Sequence, residues 1–243
     1  ASLNAPPQRG TTPDVASYNR KTYLHGKTHE GTLKLVLDTG IGSLTSYTGY
    51  AKRNIGQGFD FDGSYKDQIY NEVPKMDWRT FQQTVDFVLD TSDTLDLVVG
   101  ATYFWEDREY DPRGVITWQG GNLTVRSNAA TDTSAFAAYA NATFRPTPRL
   151  SLTVGGRWNH EKRGISYAAV NGAGTVTFPQ TDKDVTFKKF VPSASIRYEL
   201  AERTNVYASY SQGFRSGAWN LGGAASPDLL LPIQPENIKA YEL

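Results

Sequence analysis

The stretch Asn205–Asn220, NVYASYSQGFRSGAWN, with FVPSASIRYELAERT leading into it from Phe190, decides the fold. It reads as the end of one strand, a tight polar turn and a second strand that finishes in an aromatic loop. In VYASYSQGF, Val206, Ala208, Tyr210 and Phe214 share one face, while Asn205, Tyr207, Ser209 and Ser211 share the other. An apolar face backed by a small, polar one is how a transmembrane β-barrel separates lipid from a wet lumen.

Composition fits that reading. The 243 residues carry 25 basic and 25 acidic side chains, a net charge of +0, which gives no argument for a nucleic-acid partner. Hydrophobic residues are only 39% of the chain, as expected when apolar positions are diluted one in two. No run approaches the ~20 apolar residues of a membrane helix. The chain has no cysteine, hence no disulfide and no thiolate metal site. The opening ASLNAPPQRGTTPDV lacks the basic and apolar regions of a signal peptide, and the closing ENIKAYEL stops in mid-strand. The expectation is an internal piece of a longer protein.

Outward from the opening stretch, the chain divides into strands at regular intervals. After a proline-bearing loop to Tyr18, strands are predicted over Arg20–Asp38, Gly42–Asn54, Met76–Asp90 and Leu95–Tyr110. More follow over Thr133–Arg145, from Leu150 to the loop at Gly164, and over Lys183–Leu200; the eighth is the opening stretch and a ninth begins near Glu236. Leu95, Leu97, Val99, Ala101, Tyr103 and Trp105 make one unbroken apolar row. Short turns join strands one to two, three to four, five to six and seven to eight. Long connections are predicted at Ile55–Lys75, Asp111–Ala130, Gly164–Asp182 and Leu221–Pro235, with nothing helical. A meander with all short turns at one end is the layout of an outer-membrane barrel, periplasm below and cell exterior above. Trp105, Trp158 and Tyr110 are assigned to an upper aromatic girdle, Phe144 and Tyr198 to a lower one.

Four segments resemble the barrel of TonB-dependent outer-membrane receptors. They are FAAYANATFRPTPRLSLTVGGRW (Phe136–Trp158), FVPSASIRYEL through SGAWN, the closing PENIKAYEL, and the shorter GSLTSYTGY (Gly42–Tyr50). The resemblance implies an all-β, antiparallel up-and-down barrel of about 22 strands, of which residues 1–243 would be about nine. It also implies a lumenal plug and coupling to the TonB complex and the proton-motive force. Nothing here matches the plug, the energy-coupling box or a terminal strand. The implied function is active uptake of a large, scarce nutrient across the outer membrane. A ferric siderophore is the default cargo; carbohydrate, cobalamin or an aromatic compound suits the segment equally. Implied partners are a small molecule or metal chelate, the TonB complex and outer-membrane lipid.

Site candidates follow from position. Loop aromatics Phe59, Phe61, Trp118 and Trp219 would present flat apolar faces to an external ligand, with loop packing as the bland alternative. Lumen-side Arg157, Arg197 and Arg215, with Tyr207, would meet a ligand or a plug carboxylate. His25 and His29 lie about 13 Å apart on one strand face, too far to share a metal. Asp60, Asp62 and Asp67 miss the calcium-loop spacing, and the His160-Glu161 pair reads as surface. No cofactor, metal or catalytic set is assigned. The rivals are a passive porin, marked by a charged constriction and one inward-folded loop; a barrel enzyme with a rim triad; and a soluble β-domain.

Overall fold

A computed structural model describes residues 20–61, 68–118, 123–220 and 224–243. One nine-stranded antiparallel sheet follows chain order from β1 to β8 and closes with β11. Its strands are β1 (Tyr23–Asp38), β2 (Gly42–Asp60), β3 (Ile69–Ser92), β4 (Leu95–Trp118), β5 (Leu123–Thr147), β6 (Leu150–Asn171), β7 (Val176–Ala201), β8 (Thr204–Arg215) and β11 (Glu236–Glu242). Between β8 and β11 lie β9 (Ala218–Trp219) and β10 (Pro232–Ile233), which pair with each other, and a 3₁₀ turn at Pro227–Leu229. That turn is the one helical element among the described residues, where the sequence predicts none.

The predicted turns are all present at one end. In the first, Thr39 Oγ1 donates to the Gly42 carbonyl at 2.8 Å, and Gly40, at φ +76°, donates its N–H to the Asp38 carboxylate. The long connections at the other end are mostly strand. β4 runs to Trp118 and β5 starts at Leu123, while β6 and β7 leave only a short turn between Asn171 and Val176. The ladder continues past the membrane zone, where nothing requires one face to be apolar, so the period-2 signal vanishes while the hydrogen bonds persist. Bulges between Glu72 and Met76, Tyr110 and Gly114, and Tyr167 and Ala169 break the register there.

Register sorts the side chains into cross-strand rows. On the outer face one row runs Leu37, Leu44, Phe87, Val99, Ala140, and the row above it runs Leu35, Ser46, Val85, Ala101, Ala138, Trp158, Phe190. Tyr50, Phe81 and Trp105 pair across the top of this band, where Phe136 meets Trp158 edge-on at 6.3 Å. From Leu95 to Trp105 the apolar row climbs about 25 Å for strands tilted near 40°, the height of a lipid-facing belt. Immediately above, the outer face turns ionic: Lys52, Arg79, Asp107 and Asp132 follow across the strands, with Arg79 bonded to Asp107 and Lys162 to Asp184 at 3.5 Å. Tyr110 does not belong to the girdle. It pairs with Met76 and Ala129 on the inner face, because residue 110 has the opposite parity to residue 105 in an unbroken strand.

Candidate ligand vestibule

The inner face above the girdle carries a row built by three neighbouring strands: Arg53 on β2, Trp78 on β3 and Arg108 on β4 lie directly opposite one another. Register sets the guanidiniums on either side of the indole, with Arg53 Cζ 4.5 Å and Arg108 Cζ 4.0 Å from the ring centroid. Each such contact is worth roughly 0.5–2 kcal/mol. Trp78 Nε1 donates to Glu106 Oε2 at 2.8 Å, and Arg108 Nη2 reaches the same carboxylate at 3.2 Å. Arg108 Nε is buried with no hydrogen-bond acceptor among the described residues. Continued across the sheet, the row meets Thr131, Ile165 and Lys183.

At Ile165 and Lys183 the β8–β11 connection folds back onto the inner face. Leu230 is 0% exposed, buried against Ile165, Ala169 and Phe178, with Trp219 packed alongside. Lys183 Nζ donates to the carbonyls of Pro227 at 2.5 Å and Leu230 at 3.0 Å, capping the 3₁₀ turn. Trp219 Nε1 donates to the Arg163 carbonyl at 3.1 Å, and Ser216 Oγ to Glu161 at 2.6 Å. Gly217 has no room for a side chain: a Cβ would stand 2.6 Å from the Phe187 ring and 2.0 Å from the Ile233 carbonyl oxygen. The loop is therefore fastened at both ends and through its middle.

Lower on the inner wall, four strands contribute one polar network. Tyr139 crosses Gly100 to donate to Asp86; Arg157 lies 5.5 Å from the Tyr139 ring and donates to Thr102 at 3.0 Å and Asn159 at 2.9 Å. Near the loop end of the outer face, Tyr23 crosses Gly58 in the same way and donates to Glu72 at 2.6 Å. Partial burial, then the Glu72 hydrogen bond and charge, push its phenol up to about 12. Asp77 is held below the usual carboxylate range, chiefly by the hydrogen bond from Lys75.

The residues singled out in the sequence are scattered over the height of the wall. Phe59 shares the inner parity of Arg53 nearer the loop end, and Phe61, 70% exposed, follows it. The side chain of Trp118, with Asp62 and Asp67, lies outside the described residues. Trp219 is packed rather than presented. Tyr207, opposite Arg197, lies near the turn end; Arg215 is exposed at the far end of β8 and pairs with Glu236 at 3.7 Å. His160 stacks on Trp158 in the girdle, and Glu161 on the other face bonds Arg163. No group of three or more metal-ligating side chains forms among the described residues. Arg53, Trp78 and Arg108 were not singled out: the only local signal is that each falls at inner parity in its strand.

A belt of lipid-matched height, aromatic rows above it, an ionic collar and a polar inner wall with a docked loop define the wall of a transmembrane β-barrel. The chain belongs to the family described as "TonB dependent receptor-like, beta-barrel", which it matches over residues 1–243. The family is one of outer-membrane barrels. Among curated proteins the chain is similar to the ferric-pyoverdine BN7/BN8 receptor of Pseudomonas putida, 28% identical over 205 residues, covering 75% of this chain and 24% of that receptor. Among solved structures it resembles the ferric yersiniabactin uptake receptor FyuA of Yersinia pestis, with a TM-score of 0.71 at 18% identity over 90% of this chain and 33% of that one. The siderophore receptor PiuA of Acinetobacter baumannii gives 0.64 at 16% identity over 83% and 34%. These two likenesses concern the fold. The chain spans about a quarter to a third of the proteins it matches.

Proposed function

We propose that this chain is part of the barrel wall of an outer-membrane, TonB-dependent transporter that imports a ferric siderophore. The plug and the segment that couples to TonB belong to other parts of the same receptor. The supporting observation is the inner vestibule, with aromatic and cationic side chains above a lipid belt, in a chain related by sequence to a ferric-siderophore receptor. The reading makes the protein a carrier and not an enzyme. An inward-folded loop is also the mark of the porin rival. Here, however, the loop is packed flat against β6 and β7 and the family is that of the receptors.

The test is uptake of radioactive iron by iron-starved cells carrying the full receptor. Each candidate siderophore is supplied below the concentration at which porins pass it. The expected result is saturable uptake that stops when a protonophore collapses the proton-motive force or TonB is deleted. Uptake indifferent to both treatments would mean a passive channel.

A further inference from the structure

Ion pairs form on both faces of this sheet, and Arg53 stands apart from them. On the outer face Arg79 meets Asp107, Lys162 meets Asp184 and Lys75 meets Asp77; on the inner face Arg163 meets Glu161 and Arg145 meets Asp96. On the inner face the cross-strand neighbours of Arg53 are Thr28 and Trp78, and those of Arg108 are Trp78 and Thr131. Among the described residues Arg53 makes no hydrogen bond or ion pair that competes with a ligand; its contact is the Trp78 ring. Arg108 gives Nη2 to Glu106 and buries its Nε, which leaves Nη1 as its donor toward a ligand, on a side chain that is 33% exposed. Two guanidiniums and one carboxylate leave the cluster one positive charge in excess. A guanidinium over an aromatic ring can still aim N–H donors past the ring, and these suit carboxylate, phenolate and other oxyanions.

We infer that Arg53 and Arg108 recognise the charge of the cargo: they grip an oxyanion-bearing, flat-sided metal chelate beside the edge of Trp78, so the receptor selects negatively charged chelates over neutral or cationic ones. This rests on the iron-chelate reading above. Phe59 lies on the same inner face roughly 20 Å nearer the loop end, and the docked loop meets the same cross-strand row two strands beyond Arg108. Had the stack only a structural role, its loss would change stability without changing which charge of chelate is preferred.

The experiment uses the full receptor purified in detergent and three probes: iron(III) citrate and iron(III) tris-catecholate, both anionic, and an uncharged iron(III) trihydroxamate. Binding is read by titration calorimetry at low and high salt. The expected result is that one anionic chelate binds most tightly, weakening as salt rises. Arg53→Gln and Arg108→Gln should each weaken it about tenfold or more, while any trihydroxamate binding is unchanged. Arg53→Lys and Arg108→Lys, which keep the charge but lose the flat fork, should fall between. Circular dichroism of each variant confirms the folded barrel. If the trihydroxamate binds as tightly as either anion, or the Gln variants bind the anions like wild type, the charge selection is overturned while the receptor reading stands. If the wild type binds none of the three, the charge selection falls, while the receptor reading is decided by the iron-uptake experiment above.

Discussion

Gly100 has no side chain because Tyr139 occupies the space. A Cβ there would stand 2.5 Å from Tyr139 Cζ and 2.6 Å from the Asp86 carboxylate. Tyr139 and Asp86 are on β5 and β3, and the ring must lie across the intervening β4 for its hydroxyl to reach the acid. Gly100→Ala should lift the ring, break that hydrogen bond and remove the surface on which Arg157 rests. We expect a loss of about 1–3 kcal/mol, read from urea unfolding of the barrel in detergent; an unchanged midpoint would mean the ring is not held by its bed. Tyr23 crosses Gly58 in the same manner, and its titration is the matching observable. Its folded pKa of about 12 exceeds the unfolded value near 10. The contribution is therefore complete below about pH 10 and disappears as pH rises through about 12. The phenolate absorbance of wild type minus that of Tyr23→Phe should show a single step near pH 12. A step near pH 10 would show that Glu72 does not hold the proton on.

The β8–β11 connection depends on Lys183, whose ammonium bonds two carbonyls of the 3₁₀ turn. Lys183→Met keeps the stem and removes both charge-assisted bonds, each worth roughly 1.5–3 kcal/mol. Amide exchange at Leu229, Leu230 and Leu231, whose N–H groups close the turn, should accelerate about tenfold or more. The β6 and β7 amides should not change; equal protection in the variant would mean that Leu230 burial alone holds the loop. This element also marks how far the sequence could be read. The strands inside the lipid belt were legible, because lipid on one side and water on the other force alternation, as in Leu95 to Trp105. The strand extensions were not, because Gly, Asn and Thr in a solvated ladder look like loop. The Arg53, Trp78 and Arg108 row was also hidden. Counted straight from the Ser92–Leu95 turn, Trp78 would face Glu109, and only the irregularity between Asp90 and Ser92 moves it to Arg108. The β2–β3 pairing that brings in Arg53 follows a long connection, which sets no register in advance.

At the scale of the whole molecule, one face of this sheet meets lipid and the other water, and adjacent residues of β7 test that orientation. Ala194 is opposite Val154 and Tyr210 on the outer face, about midway between the lower Tyr198 and the upper Phe190. Ser195, the next residue, is opposite Thr153 and Ser209 on the inner face. A guanidinium on the lipid face at mid-depth is costly because hydrocarbon offers it neither water nor a counter-ion; on a wet inner wall it remains solvated. Ala194→Arg should therefore destabilise the barrel by about 2–4 kcal/mol, and Ser195→Arg by roughly 1 kcal/mol or less. The measurement is reversible unfolding of the full receptor in phospholipid vesicles, followed by tryptophan fluorescence. Equal costs would mean that neither face meets lipid, and a reversed order would turn the sheet inside out. The second result would place the Arg53–Trp78–Arg108 stack on the outside of the barrel, beyond reach of any lumenal cargo. The orientation of a single pair of residues in β7 thus decides whether the vestibule assigned to β2–β4 can exist.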